Sequence, residues 1–322
     1  AEVVRWLVGL PGPVRVAYEA GPTGYGLARA AASAGIECLV AAPGLIPKAP
    51  GDRVKNDRRD AVRLARLLRA GELVAVDVPA AGAEAARDLV RAREDARADL
   101  MRARHRLSKM LLRYERVYPG SAWTAEHDRW LRAQRLEHAA ANAALADYYD
   151  AALQARLRRD RLDHAIAELA QGPELAAVVG RLMCLRGVST LTAVGLAVEI
   201  GDWHRLTGSS VGAYLGLTPT ESQSGGRHSR GPITKAGNRH ARRLLVEAAW
   251  HHRRPHRASI ALERRRAACR PEVRARAELA GRRLHQRWTH LNGQRGLRST
   301  IVAVAIAREL AGWCWSLAVM DD

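Results

Sequence analysis

The chain of 322 residues contains no phenylalanine and only four cysteines. The cysteines (Cys38, Cys184, Cys269 and Cys314) are far apart in the sequence, with neither a Cys-x-x-Cys spacing nor a paired histidine. Neither a disulfide framework nor a structural zinc site is therefore indicated, and we expect a protein of the reducing cytosol. No signal-peptide pattern is visible at the start of the sequence.

Long hydrophobic runs are scarce as well. Residues 301–320 are apolar enough to suggest a membrane helix, but Arg308 and Glu309 stand at the middle of this stretch. Charged side chains are unfavourable at the centre of a bilayer. We therefore expect a buried amphipathic helix here, and no membrane as a partner.

Acidic residues are in deficit, and the deficit is uneven. The chain has 33 Asp and Glu against 52 Lys and Arg, a formal net charge of +19. Residues 222–300 hold 20 of the basic residues and four of the acidic ones, which gives +16. The bias of a GC-rich genome towards arginine does not explain this clustering. A polyanion, above all a nucleic acid, is the expected partner.

Residues 1–79 are predicted to form an α/β domain. Short apolar runs alternate with helical patterns, which is typical of a sheet flanked by helices. The expected elements are a strand at 14–18, a helix ending near 34, a strand at 36–41, a helix at 57–70 and a strand at 73–78.

Three carboxylates of this domain stand out by their position. Glu19 ends the first predicted strand, and Asp57 and Asp60 share one face of a helix because they are three residues apart. The arginines and lysines around them favour plain surface charges. The alternative is a Mg²⁺ site, since carboxylates hold the hard cations that assist phosphodiester chemistry.

The middle of the chain, residues 80–172, is predicted to be a helical arm. Apolar residues keep a three-and-four spacing from 83 to 117 and again from about 145 to 169, and Pro–Gly or Gly–Pro pairs end both stretches. An antiparallel helix pair or a dimerising coiled coil is expected. Spacing between domains, dimerisation and nucleic-acid contact all stay open as its role.

Residues 173–322 are predicted to form a mostly helical C-terminal domain. The stretch 185–202 is typical of a helix, a tight turn and a second helix, and it is similar to a helix-hairpin-helix, whose N–H groups meet DNA phosphates. Gly187 and Gly195 fit that motif. Core packing of the two helices is the competing explanation.

A serine-glycine segment follows directly. Ser222 and Ser224 precede Gly225 and Gly226, and glycine lets the backbone approach a ligand and leaves a neighbouring hydroxyl unhindered. A helix is expected to begin at Asn238, a good N-cap residue. A plain surface turn and a serine that attacks or contacts phosphate both fit this pattern. The basic residues expected to face nucleic acid are Arg227, Arg230, Lys235, Arg239, Arg242 and Arg243.

Three blocks of sequence resemble the insertion-sequence "one-ten" family of transposases, also called bridge recombinases. The first is Tyr-Glu-Ala-Gly-Pro-Thr-Gly-Tyr around Glu19, and the second is Lys-Asn-Asp-Arg-Arg-Asp-Ala around Asp57 and Asp60. The third joins Leu-Gly-Leu-Thr-Pro, Ser-Gly-Gly and Ile-Thr-Lys-x-Gly-Asn-Arg between residues 215 and 239. The blocks stand in the family's order.

The resemblance implies a transposase that recombines DNA at specific sites under the guidance of a structured bridge RNA, as a homodimer that assembles into a tetramer. It implies a RuvC-like, ribonuclease-H-type domain whose Asp-Glu-Asp-Asp tetrad binds Mg²⁺, and Glu19, Asp57 and Asp60 match its last three members. It also implies that Ser224, directly before the glycine pair, attacks a DNA phosphodiester, with Ser222 as the alternative.

One member of that tetrad has no counterpart. No aspartate precedes Glu19 in this sequence, so the first aspartate and the opening strands of the RuvC-like domain are expected to be missing. Two other functions stay open: a metal-dependent junction resolvase or nuclease that uses water as its nucleophile, and an inactive, truncated remnant that only binds nucleic acid.

Overall fold

The computed structural model describes residues 2–47, 56–224 and 227–320, and describes residues 224, 227 and 228 by their backbone only. The chain divides into two compact units, Ala1–Ala80 and Ala81–Asp322. Helices dominate the described residues. The predicted boundaries at 79/80 and 172/173 stay predictions.

Two parallel strands organise the first unit. Strand β1 (Arg15–Glu19) pairs with β2 (Glu37–Ala41), and Glu19 lies opposite Ala41. Helix α2 (Gly26–Ser33) connects the strands, and its buried Ala31 belongs to a small apolar cluster with Leu7 and Ile36. The other helices are α1 (Glu2–Val8) and α3 (Asp57–Ala70). The strands and helices predicted between residues 14 and 70 are confirmed to within one or two residues.

The predicted strand at 73–78 is wrong. Only Ala75 forms a bridge, which is antiparallel to Ala41 at the edge of β2. Two hydrogen bonds flank that bridge, from the Val76 N–H to the Val40 carbonyl at 2.7 Å and from the Ala42 N–H to the Val74 carbonyl at 2.9 Å. Pro79 has no N–H with which to continue a ladder, so the pairing stops almost at once.

The arm of the second unit is an antiparallel helix pair. Helix α4 (Ala81–Arg113) packs along α6 (Ala139–Leu169). Ion pairs join Arg93 to Asp163 at 2.6 Å and Arg158 to Asp99 at 2.8 Å, so residue numbers rise along one helix as they fall along the other. The unpredicted helix α5 (Ala125–Ala133) covers the tip of the pair, where it shares an apolar cluster with both. A dimerising coiled coil stays a prediction.

In chain order the remaining elements are α7 (Ala176–Leu182), α8 (Thr190–Ile200), α9 (Val211–Tyr214), β3 (Pro219–Ser224), β4 (Arg227–Ile233), α10 (Arg239–Ala249), α11 (Ile260–Ala267), α12 (Pro271–Thr289) and α13 (Ser299–Ala318). Helix α13 packs on α7, α9, α10 and α12. A 3-10 turn (Trp250–Arg253) follows α10, and a π-helical turn (His290–Gln294) follows α12.

Helix α13 is the predicted buried helix near the C-terminus. It is long and apolar enough to cross a membrane, the one such helix within the described ranges. Ile306, Leu310 and Cys314 are nevertheless fully buried in the core of the second unit. Its charged Glu309 pairs with Arg283 at 2.6 Å. The expectation of a packed amphipathic helix is confirmed.

Candidate functional site

The serine-glycine segment forms a β-hairpin, whose strands were not predicted from the sequence. Strands β3 and β4 are antiparallel, with Ser224 opposite Arg227 at the turn. Gly225 and Gly226 connect the strands and lie outside the described residues, as do the side chains of Ser224 and Arg227. A two-residue link is the commonest way to join antiparallel strands. The predicted nucleophile, Ser224, is therefore the last residue of β3.

Polar side chains further along the hairpin are exposed. Arg230 Nε lies 3.1 Å from Glu221 Oε1, and both side chains are more than half exposed, so this pair contributes little to stability. Ser222, the alternative nucleophile, is exposed too. Lys235, just after β4, has a left-handed φ of 56°, which is uncommon for a residue other than glycine. Its N–H donates to the Gly216 carbonyl at 3.1 Å.

Two glycines let the chain cross itself at the base of the hairpin. A Cβ on Gly216 would lie 2.1 Å from the carbonyl oxygen of Ala236, and one on Gly237 would lie 2.0 Å from that of Tyr214. Both glycines also have positive φ values, 65° and 70°. No larger residue fits without moving the backbone. The ends of the hairpin are thus held together at one fixed point.

Arg242 closes this crossing from helix α10. Its Nη1 donates to the carbonyl oxygens of Leu215 at 2.8 Å and Ala236 at 2.9 Å, one on each side of the hairpin. Burial, with the positive charge of Arg239 nearby, lowers the pKa of Arg242. The guanidinium of Arg242 is thus bonded to the protein backbone, instead of standing free on a basic face.

A buried carboxylate, Glu199 of α8, fixes the start of α10. Its side chain is 1% exposed and accepts two hydrogen bonds from Arg91, both at 3.0 Å. Asn238 Nδ2 donates to the same carboxylate at 2.6 Å, and His240 Nδ1 lies 3.2 Å from it. Asn238 also caps α10, since its Oδ1 accepts from the Ala241 N–H at 2.9 Å. Helices α4, α8 and α10 meet at this group.

The balance of forces keeps Glu199 ionised. Burial alone raises the pKa of Glu199, but hydrogen bonds from His240, Arg91 and Asn238 outweigh burial and lower that pKa to about 2. Sequence reasoning missed this residue. The available signal was a single acid within the apolar run of α8, because an acid on a buried helix requires partners.

The predicted basic face of α10 is only partly free. Arg243 makes ion pairs with Glu94 of the arm and, at 2.5 Å, with Glu247. Arg239 is exposed, and among the described residues it has no ion pair. Of the arginines of this helix, Arg239 is therefore the one most available to a ligand.

Gly187 and Gly195 occupy tight contacts between helices. A Cβ on Gly187, where φ is 86°, would lie 2.5 Å from the Ala248 carbonyl oxygen, and one on Gly195 would lie 2.5 Å from Leu244 Cδ1. Both contacts join the α7–α8 region to α10. Gly195 is buried, so its role in the structure is packing, whereas Gly187 is half-buried in the turn before α8. DNA contact by a helix-hairpin-helix stays a prediction.

An open groove of about 490 Å³ lies beside that turn. Arg186 and Arg265 line it, but both donate to backbone carbonyls, at 2.8 Å to Pro255 and at 2.8 Å to Val188. Arg257 also lines the groove and is exposed. Ser189, the N-cap residue of α8, is exposed there too. A helix N-terminus and a nearby guanidinium together favour a phosphate group.

The predicted Mg²⁺ ligands are not brought together as a group. Glu19 is exposed at the end of β1, and Asp57 and Asp60 lie in the first turn of α3. Asp60 pairs with Arg63 at 2.6 Å. Within the described ranges no three His, Cys, Asp or Glu side chains lie close enough to hold a metal ion. The carboxylates present thus do not make a complete metal site.

Similarity to known proteins covers both units. A family model described as "Transposase IS116/IS110/IS902 family" matches residues 179–262, which include α8, the hairpin and α10. A DEDD-type model described as "Transposase" matches residues 1–115. The y4qE protein of Sinorhizobium fredii, which is named as a transposase, is 46% identical over 303 residues, covering 94% of this chain and 74% of the relative. The chain belongs to the IS110/IS116/IS902 family of transposases.

A second relative of this transposase is the transposase for insertion sequence element IS1533 of Leptospira borgpetersenii. It is 34% identical over 194 residues, which cover 59% of this chain and 56% of that protein. The family expected from the Glu19, Asp57 and Ser224 blocks is thereby confirmed. The roles of the individual residues stay predictions.

Proposed function

We propose that this transposase is a site-specific DNA recombinase whose nucleophile is Ser224. The observation that carries the proposal is the rigid base of the hairpin, where Gly216, Gly237 and Arg242 hold both strands at one point. In-line attack on phosphorus requires a nucleophile held in a fixed position. Ser224 stands at the end of β3, on a short hairpin anchored in this way.

The proposed reaction is a transesterification. The Ser224 hydroxyl oxygen bonds to phosphorus while one bond from phosphorus to a deoxyribose oxygen breaks; the serine proton leaves to a base, and the sugar oxygen takes up a proton. A phosphoserine ester results, which a second DNA hydroxyl attacks to release the serine and join new strands. A serine hydroxyl requires activation at neutral pH, and Arg227, Lys235 and acids of a second subunit are the candidates.

Magnesium, bridge RNA and assembly from dimer to tetramer enter the proposal through family resemblance. Glu19, Asp57 and Asp60 are the proposed ligands of Mg²⁺, which would stabilise negative charge on phosphate oxygens. Because these acids do not form a complete site here, no catalytic step is derived through the metal. The charge of +16 over residues 222–300 supports nucleic acid as the partner of the C-terminal part.

The proposed phosphate contacts are the exposed cations near the hairpin. Arg230 and Lys235 lie on or next to β4, and Arg239 begins α10. Arg257 and the turn at Gly187 line the groove beside the N-terminus of α8, and we propose this groove as a further phosphate contact. Arg230, Lys235, Arg239 and Arg257 are all exposed, so their charges are accessible to a phosphate backbone.

The test compares Ser224→Ala with Ser222→Ala in the full chain, using labelled DNA of the element's ends and its RNA. We expect the unmodified protein to form a covalent DNA adduct that survives denaturing electrophoresis, Ser224→Ala to form none, and both variants to bind DNA equally. Loss of the adduct only in Ser222→Ala would move the nucleophile by two residues. DNA cleavage without an adduct would favour the junction resolvase or nuclease, with water as the nucleophile.

A further inference from the structure

The tip of the helical arm carries a small pocket that the recombination proposal does not use. It lies among α4, α5 and α6 and has a volume of about 40 Å³. One water molecule requires about 10–15 Å³ by this kind of measure, so the space matches a few waters or one tetrahedral phosphate. Its polar and aromatic lining includes Arg104, Trp123, Thr124, His127, Tyr149 and Arg156.

Two arginines at this pocket, Arg104 and Arg156, form no ion pair within the described residues. Arg104 lies over the ring of Trp123, 4.6 Å from its centre, and its buried Nε has no hydrogen-bond partner. Burial and the positive charges of Arg159 and Arg156 lower the pKa of Arg104. Arg156 has no ion pair within the described part of the chain. Buried donors are normally hydrogen-bonded, and an anion bound between the two guanidinium groups would accept a hydrogen bond from Arg104 Nε.

The one acid at the pocket is already engaged. Asp128 accepts from Tyr149 Oη at 2.8 Å and pairs with Arg132 at 2.9 Å. Buried His127 accepts a hydrogen bond at Nδ1 from the Trp123 N–H at 3.0 Å, so its proton resides on Nε2 when the ring is neutral. Burial lowers the pKa of His127 and favours that neutral form. His127 therefore adds no charge to the pocket, and the lining acid, Asp128, is bonded to Tyr149 and Arg132 and not to Arg104 or Arg156.

We propose that this pocket binds one phosphate of a nucleic-acid backbone between Arg104 and Arg156. Nucleic acid is favoured over a free anion because the surroundings extend the site. Residues 101–161 carry 13 Lys and Arg against seven Asp and Glu, a net charge of +6. The half-buried rings of Trp123 and Tyr149 line the pocket next to these charges and would contact a nucleotide held there. The site is independent of Ser224, since binding here requires no cleavage.

The test measures binding of fluorescein-labelled single-stranded RNA and duplex DNA to full-length Arg156→Gln and to a matched control, Arg129→Gln. Arg129 is exposed on α5, outside the pocket, and its replacement removes the same charge. We expect Arg156→Gln to weaken binding about tenfold, because a charge-assisted contact is lost. The slope of log K against log salt should fall by about 0.7 for a single strand or about 0.9 for duplex DNA. Arg129→Gln should stay within about twofold.

Equal losses in the two variants, or no loss in either, would overturn the proposal, because only diffuse charge would then act. A loss confined to RNA or to DNA identifies the source of the phosphate, and a loss for both identifies a shared backbone contact. As a second measurement, ultraviolet crosslinking of the unmodified protein to the same oligonucleotides should modify the peptide with Trp123. Crosslinks found only in the C-terminal part, with none at the arm tip, would contradict the site whatever the variants do.

Discussion

Replacing Glu199 by glutamine should destabilise the second unit more than any single surface charge does. Glutamine has the same shape but offers one carbonyl oxygen where the carboxylate accepts bonds from Arg91, Asn238 and His240. Its amide N–H groups would face some of the same donors. The substitution therefore resembles protonation of Glu199 inside the fold.

The magnitude follows from the pKa of Glu199. That pKa is about 2 in the folded chain, against an ordinary value of 4.5 for a glutamate side chain. A difference of one pKa unit corresponds to about 1.4 kcal/mol, so the ionised form stabilises the fold by about 3 kcal/mol. The folded pKa is depressed, so this contribution is complete above pH ~4.5 and is lost as the pH falls through the folded value.

Urea unfolding followed by circular dichroism at pH 7 measures the loss. We expect Glu199→Gln to lower the free energy of unfolding by about 3 kcal/mol, with a smaller difference at pH 3.5 than at pH 7. The control is Glu168→Gln, because Glu168 is 71% exposed beside His164 and should contribute almost nothing. A loss below about 0.5 kcal/mol for Glu199→Gln, or one that does not shrink in acid, would refute the reasoning.

Two further substitutions test the base of the hairpin and a buried histidine. Gly237→Ala should lower the free energy of unfolding by at least ~1–2 kcal/mol, because alanine is strained at φ 70° and its Cβ would meet the Tyr214 carbonyl. Thermal melts measure the loss. The control is Gly180→Ala, because a Cβ at this position of α7 meets open space and the change should be neutral or stabilising. Burial, with positive neighbours, lowers the pKa of His252 from 6.5 to about 3, so unfolding free energy should fall by up to ~1.4 kcal/mol per unit as pH drops below 6.5. His252→Leu should flatten that slope between pH 6.5 and 5, and an unchanged slope would assign it to other groups.

Elements with local signals could be predicted from the sequence. Helix α3 begins at its expected residue because Asn56 accepts from the N–H groups of Arg58 and Arg59, and it ends where Gly71 adopts a left-handed φ of 73°. Asn238 caps α10 by the same means. Such caps act within one helical turn, so residue type and spacing are sufficient to find them.

The hairpin was missed although its glycine pair is a known turn signal. Two glycines between short runs indicate antiparallel strands, but the flanking Ser222, Gln223 and Ser229 have none of the β-branched or aromatic character that marks a strand. The strands are instead held at their base by Gly216 and Gly237, which contact segments on the other side of the hairpin. Packing between separated segments overrode local propensity.

The charge of the C-terminal part shows why a count of residues overstates a binding surface. Arg242 is bonded to backbone carbonyls, and Arg243 is paired with Glu94, which lies outside the basic stretch. Arg266, only 5% exposed, pairs with Glu278 at 2.6 Å. These guanidinium groups stabilise the fold and are not free to release counterions from a phosphate backbone. The salt dependence of nucleic-acid binding should therefore reflect the exposed cations, among them Arg230, Lys235, Arg239 and Arg257, and be less steep than 20 basic residues would give.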